Sequence, residues 1–274
     1  MHQVRYGLIA GSSRFPILAL ESARQLGHDV VVIALKDNAP AEVEQLGSKC
    51  YWITIAELGR LIEILHEERI TEVVMAGQVK HTSLFSSLKP DWRLFKLLMS
   101  LPARNTDALI GGVQKVLEEE GIRLADSTLL LKPMLAPEGV ISARKPDEEE
   151  RKDIDYGRRV GGALAGFDIG QSVAVSERAC VAVEAMEGTD AMLRRAASLV
   201  NGRPLRLVKV SRRRKHLLFD VPVAGPGTIR TMAETGTTAL AVDAGRTLLL
   251  DKDEMLSLAA SLQISIIGYQ PEEA

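Results

Sequence analysis

The sequence predicts an α/β protein of two domains, an N-terminal domain built on a parallel sheet and a C-terminal α+β domain. Three observations carry this. Short apolar runs alternate with helical spacings through the first half, as βαβ units require. That alternation stops at a proline-punctuated, highly charged connector. And 274 residues are more than one hydrophobic core needs and comfortable for two.

The elements follow in order. Arg5–Ala10 is a short strand-forming run ended by Gly11, and Ile17–Leu26 is an amphipathic stretch closed by Gly27. Val30–Leu35 is continuously apolar, as strands buried on both faces of a parallel sheet are. Tyr51–Ile55 is a third strand. Leu58, Leu61, Ile62 and Leu65 share one helix face, and Glu72–Ala76 is a fourth strand stopped by Gly77. Asp91–Leu101 and Thr106–Glu120 read as helices. Lys132-Pro133 and Ala136-Pro-Glu-Gly139 then break the pattern, giving domains at 1–132 and 139–274 joined by a linker at 133–138. The charged run Arg144–Asp153 opens a helix at Pro146 and leads into a glycine-containing stretch to Leu164 that invites close packing. Ser172–Val175 and Ala179–Val183 flank Ser176-Glu-Arg178 as a hairpin. Ala191–Val200 reads as a helix capped by Thr189 or Asp190. Leu205–Val210, Ala239–Val242, Leu248–Leu250 and Ile264–Ile267 complete the strands, with no regular βαβ alternation in this half.

Composition excludes several functions. The formal net charge of -2 offers no basic field for nucleic acid. Cys50 and Cys180 lie far apart in apolar runs typical of buried thiols, which argues against a disulfide framework. The five histidines form no zinc-binding pair. The sequence has no secretory leader, membrane span, P-loop or nucleophile elbow, so a cytoplasmic protein is expected.

Two kinds of segment suggest chemistry. Parallel sheets bind ligands beyond their carboxyl strand ends, which singles out Gly11-Ser-Ser-Arg-Phe-Pro16 and Gly77-Gln-Val-Lys-His81. In the first, Gly11, Ser12 and Ser13 precede a helix whose free N–H groups suit an anion. In the second, Lys80 suits a phosphate and Gln78 a base or sugar. Only one of the three glycines of a dinucleotide fingerprint is present, so nicotinamide chemistry ranks low. The other kind is acidic. Glu184, Glu187 and Asp190 surround the turn at Gly188, and Asp220 lies in a segment rich in proline and glycine. Clustered carboxylates supply the hard oxygen ligands that Mg²⁺ takes beside substrate phosphates, although acids near turns are more often solvated surface. The basic run Arg212–Lys215 suits phosphate or an anionic surface.

Several segments, in order over nearly the whole chain, resemble the LpxI-type UDP-2,3-diacylglucosamine pyrophosphatases of lipid A biosynthesis. They are Gly7-Leu-Ile-Ala-Gly-Ser-Ser-Arg-Phe-Pro16, Gly77-Gln-Val-Lys80, Asp168-Ile-Gly-Gln171, Ala182-Val-Glu-Ala-Met-Glu-Gly-Thr-Asp190, Phe219-Asp-Val-Pro222 with Gly225-Pro-Gly-Thr228, and Ala241-Val-Asp-Ala-Gly245. The resemblance implies a Rossmann-like N-terminal domain and Mg²⁺-assisted hydrolysis of a lipid-linked nucleotide sugar held between the domains. Asp220 takes the catalytic carboxylate, with Asp220, Glu187 and Asp190 as metal ligands. Gly11, Ser12, Ser13, Phe15, Pro16, Gln78, Lys80, Gln171 and Thr189 contact substrate. A peripheral contact with the inner membrane and a homodimer are compatible with it. The chain departs from the family pattern at His216 and Leu218, where an acid and an arginine are usual. The loss of that acid keeps open a rival reading, a nucleotide-sugar sensor without turnover.

Overall fold

The structure, a computed structural model, describes residues 5–77, 89–101, 106–167, 169–211 and 221–271. It divides into two compact units, Met1–Leu131 and Lys132–Ala274.

In the first unit, β1 (Arg5–Ala10), β2 (Asp29–Leu35), β3 (Lys49–Ile53), β4 (Glu72–Ala76) and β5 (Arg123–Leu124) form a sheet in the order β3-β2-β1-β4-β5. Every pairing is parallel. The helices are α1 (Phe15–Gln25), α2 (Val43–Leu46), α3 (Leu58–Glu67), α4 (Trp92–Ser100) and α5 (Thr106–Glu119). Val30 to Leu35 are all buried, which explains why β2 tolerates no polar residue after Asp29. From β1 the chain winds outward through β2 and β3, then returns to place β4 on the other side of β1. The order therefore reverses between β1 and β4, where open sheets leave a crevice at their carboxyl ends. The opposite end is pinned by Glu68. Its buried carboxylate receives hydrogen bonds from Lys49 and Tyr51 and pairs with Arg5. The Lys49 bond, followed by that of Tyr51, holds it below the usual carboxylate range.

The second unit holds a six-stranded sheet in the order β6-β13-β11-β9-β7-β8. Its strands are β6 (Gly139–Val140), β7 (Ser172–Ser176), β8 (Ala179–Val183), β9 (Leu205–Lys209), β11 (Thr237–Asp243) and β13 (Ser265–Tyr269). A separate parallel pair joins β10 (Val223–Ala224) to β12 (Leu248–Leu249). Helices α6 (Glu148–Gly166), α7 (Thr189–Leu199), α8 (Pro226–Glu234) and α9 (Lys252–Ser261) complete the unit. The hairpin expected around Ser176-Glu-Arg178 is the antiparallel β7–β8 pair. One expectation needs correcting. β9, β11 and β13 are mutually parallel and connected through α8 and α9, so this half does contain βαβ crossovers within a mixed sheet. The misleading segment was Gly225-Pro-Gly-Thr228. It reads as a turn, yet Pro226 occupies the first turn of α8, where its missing N–H costs nothing. The core follows from that layout. Met192, Leu193, Ile229, Met232 and Met255 pack on one sheet face against Leu207, Leu240 and Ile266. Ile154 of α6 packs on the other with Val208, Ala241 and Ile267.

Two smaller differences concern caps and thiols. The N-cap of α7 is Gly188, with φ +84°, in place of Thr189 or Asp190. Cys180 is exposed on edge strand β8, whereas Cys50 is half-buried and burial raises its thiol to about 11. The stretch read as a linker runs into the second unit. Ala136 is 2% exposed, its N–H donates to Thr247 and its carbonyl accepts from Gly245. No helix among the described residues is long and apolar enough to cross a membrane.

Candidate functional site

At the carboxyl edge of the first unit, the loops leaving β1 and β4 touch. Gly11 N–H donates to Ala76 O at 2.8 Å, closing the two strand ends together. Gly77 has φ +92°, and a Cβ there would lie 2.3 Å from Ser12 O. Only glycine fits on both counts. Ser13 also adopts a left-handed conformation, with φ +83°, and its hydroxyl accepts from Phe15 N at 3.3 Å. The chain then enters α1 with Pro16 in the first turn and no side-chain cap from Arg14, the N-cap residue. The structure thus gathers Gly11, Ser12, Ser13 and Phe15 at the point where strand order reverses, with Pro16 buried in the first turn of α1. Gln78 and Lys80 lie outside the described residues.

In the second unit a polar network crowns the sheet. Thr189, at the start of α7, is its centre. Its hydroxyl donates to Glu184 Oε1 at 3.0 Å, accepts from Lys209 Nζ at 2.9 Å, and lies 3.2 Å from Ser172 Oγ. Topology explains the meeting. β7 runs antiparallel to β8 and β9, so the start of β7 (Ser172) sits beside the ends of β8 and β9 (Val183 and Lys209). The preceding loop is locked on the same edge. A Cβ on Gly170 would lie 1.9 Å from Glu184 O, and Gln171 O accepts from Val210 N at 2.8 Å. On the neighbouring strand, Asp243 at the end of β11 accepts from both the N–H and the hydroxyl of Ser211, at 2.7 and 2.8 Å. Burial pushes the Asp243 carboxyl above its ordinary value, with the Ser211 bonds opposing.

The acids flagged by sequence separate in space. Glu184 faces the network. Glu187 turns away: Oε1 pairs with Arg195 at 2.7 Å and Oε2 accepts from Ala185 N at 2.9 Å. Backbone and Arg195 hydrogen bonds hold it below the usual carboxylate range. Asp190 is exposed in the first turn of α7. Asp220 lies outside the described residues, as do Asp168 and the basic run 212–215. Among the described residues, no group of three His, Cys, Asp or Glu side chains is placed to hold a metal ion. Lys209 and Ser172 were missed as site residues. The available signal was a cation in the last position of the strand-forming run Leu205-Arg-Leu-Val-Lys209. The segments that lead into the network carry exposed apolar side chains: Phe167 just past the end of α6, Ile169 next to Gly170, and Met186 in the turn before α7.

Sequence models described as the LpxI N-terminal and LpxI C-terminal domains match residues 5–134 and 137–267. A curated relative, the UDP-2,3-diacylglucosamine pyrophosphatase LpxI of Caulobacter vibrioides, is 32% identical over 279 aligned positions. The alignment covers 98% of this chain and 99% of the relative. Solved structures match more distantly, and the chain spans about a third of the length of the two that follow. The Bordetella bronchiseptica enzyme WbmG, in complex with NAD and UDP, is 16% identical with a TM-score of 0.29, covering 43% of this chain and 34% of its own. The biotin carboxylase domain of the Hydrogenobacter thermophilus 2-oxoglutarate carboxylase is 10% identical with a TM-score of 0.29, covering 65% and 36%. These two likenesses are too low to carry an argument.

Proposed function

This chain belongs to the LpxI family, and on that footing we propose that it hydrolyses the pyrophosphate of UDP-2,3-diacylglucosamine. The observation that carries the reading is a relative of that activity aligned over 98% of the chain. In the proposed reaction, water attacks the α-phosphorus and the bond from that phosphorus to the bridging oxygen breaks. UMP and 2,3-diacylglucosamine 1-phosphate leave, and the proton lost by water goes to solvent. Asp220 is assigned, from the family resemblance, as the carboxylate that orients that water or helps hold the metal ion.

The first unit is read as a Rossmann-like nucleotide-binding unit. Support comes from the strand reversal at β1 and β4, where Gly11, Ser12 and Ser13 lead into the start of α1. In the second unit, Lys209 supplies positive charge and Thr189 and Gln171 supply hydrogen bonds at the sheet edge. Phe167, Ile169 and Met186 offer apolar surface on the segments that carry those groups or precede them, which is what a ligand with both a phosphate and acyl chains calls for.

Magnesium is part of the proposal. Of the carboxylates suggested for it, Glu187 does not fit, because both its oxygens are engaged by Arg195 and Ala185. Asp220 and Asp190 keep the hard-oxygen chemistry the ion takes, and when bound it would neutralise phosphate charge. Peripheral contact with the inner membrane follows from a substrate with two acyl chains, and a homodimer is compatible with the reading.

Incubation with UDP-2,3-diacylglucosamine and Mg²⁺ in ¹⁸O-water tests this. UMP carrying one ¹⁸O is expected. Label in the lipid phosphate would move the attack to the other phosphorus, and absence of UMP would leave a sensor as the better account. Chelation with EDTA should abolish turnover, and added Mg²⁺ should restore it.

A further inference from the structure

Helix α4 has an unusual outer face. Trp92 is 74% exposed, Met99 70% and Phe95 45%. At a spacing of three and seven residues they form one stripe along the helix. The Trp92 and Phe95 rings stack, with centroids 5.9 Å apart. The opposite side anchors the helix. Leu97 is buried, and it lies close enough to α5 that a Cβ on Gly112 would come within 2.5 Å of its Cδ1. Asp91 caps the start by accepting from Leu94 N and from Gly59 N of α3. The stripe is therefore held outward by a fixed helix.

Charge says what meets it. The exposed residues of α4 are Trp92, Arg93, Phe95, Lys96, Met99 and Ser100, and the exposed Lys89 precedes the helix. None is acidic. Arg93 is drawn sideways to Glu120, which leaves Lys96 and Lys89 as the remaining cations of segment 89–101. A second copy of the same face would set these cations against each other. An anionic lipid surface complements both features, because tryptophan prefers the interface and lysine reaches headgroups while phenylalanine and methionine enter the acyl boundary.

We infer that the Trp92–Phe95–Met99 face of α4 docks the protein on an anionic lipid bilayer. The choice of a bilayer over another apolar partner rests on the acylated substrate proposed above. The surface itself lies on α4, outside the groups assigned to substrate.

The chain contains two tryptophans, so Trp52→Phe leaves Trp92 as the sole reporter. Vesicles of phosphatidylglycerol and phosphatidylethanolamine should shift its emission to the blue and carry the protein into the pellet. Binding should weaken as salt rises. A Phe95→Ser/Met99→Ser variant and a Lys89→Glu/Lys96→Glu variant should each bind at least about tenfold more weakly. Both should keep their circular dichroism and their turnover of substrate dispersed in detergent. Wild-type protein that stays in the supernatant, or variants that bind as tightly as wild type, would overturn the inference. So would a wild-type dimer in sedimentation velocity that the Phe95→Ser/Met99→Ser variant converts to monomer, since that assigns the face to a second copy. Detergent-dispersed substrate separates the two readings. Turnover there without vesicle binding removes only the docking face, and vesicle binding without turnover removes only the proposed reaction.

Discussion

Thr189 shows how much one hydroxyl can organise. It joins a glutamate, a lysine and a serine from three different strand ends, so Thr189→Val would leave Lys209 and Glu184 without that shared partner. A hydrogen bond to a charged group contributes about 1.5–3 kcal/mol. Thr189→Val is therefore expected to lower the unfolding free energy by that order and kcat/KM by at least about tenfold. Thr189→Ser, which keeps the hydroxyl, should restore most of both. Glu68 makes a prediction about acid. Its folded carboxyl is held below its ordinary value of 4.5, so its contribution is present above that value and lost as pH falls through the folded one. The Tm of Glu68→Gln should fall at pH 7, where Lys49 and Arg5 lose a charged partner. As pH falls below about 4.5 the wild type should lose stability more steeply than the variant. At this scale the sequence was half legible. It marked the acid-rich turn at Gly188, because three carboxylates near one glycine are visible in one dimension. It could not show that Glu184 turns inward while Glu187 pairs with Arg195, since that depends on where α7 begins. Lys209 escaped for a related reason: a buried strand and its polar end look continuous until the sheet edge is known.

Among elements, the loop before β7 is the most constrained. Gly170→Ala must push the Ile169–Gln171 loop off the Glu184 carbonyl, because the new carbon meets backbone that cannot rotate away. A fall in Tm and a loss of kcat/KM are expected together. Gly166→Ala is the control, since nothing lies within 4 Å of a Cβ there, and it should be neutral or slightly stabilising. The start of α6 offers a second test. Asp147 accepts from Glu150 N and the Glu150 side chain accepts from Asp147 N, a reciprocal cap. Asp147→Ala should cost about 1 kcal/mol, read as a drop of a few degrees in Tm. Strands and long helices were legible because their periods are strong. The exception was α8, whose proline and glycines announce a turn while Ile229 and Met232 supply its buried face.

At the scale of the molecule, the first unit followed from alternation alone, since parallel strands need helical crossovers. The second did not, because its hairpin β7–β8 interrupts the alternation before three parallel strands restore it. The proposed lipid substrate makes its own demand here. The kcat/KM for UDP-2,3-diacylglucosamine should exceed that for UDP-N-acetylglucosamine by at least about a hundredfold, through burial of methylenes. Met186→Ser and Ile169→Ser should narrow that ratio if they line the acyl path, and equal rates on the two substrates in wild type would argue for a soluble nucleotide sugar.

The short strand β6 pairs with β13, matching Gly139 to Gly268 and Val140 to Ile267. These partners emerge from the ribosome about 130 residues apart, and at roughly 5–20 residues per second that is an interval of about 6–26 s. The first unit has all its strands before that interval begins. The opening segment of the second must wait, unpaired, until almost the last residues of its sheet arrive. Nascent chains arrested near residue 200 should therefore carry a protease-resistant first unit followed by a digestible remainder. Chaperones acting during synthesis would find their work in the second half.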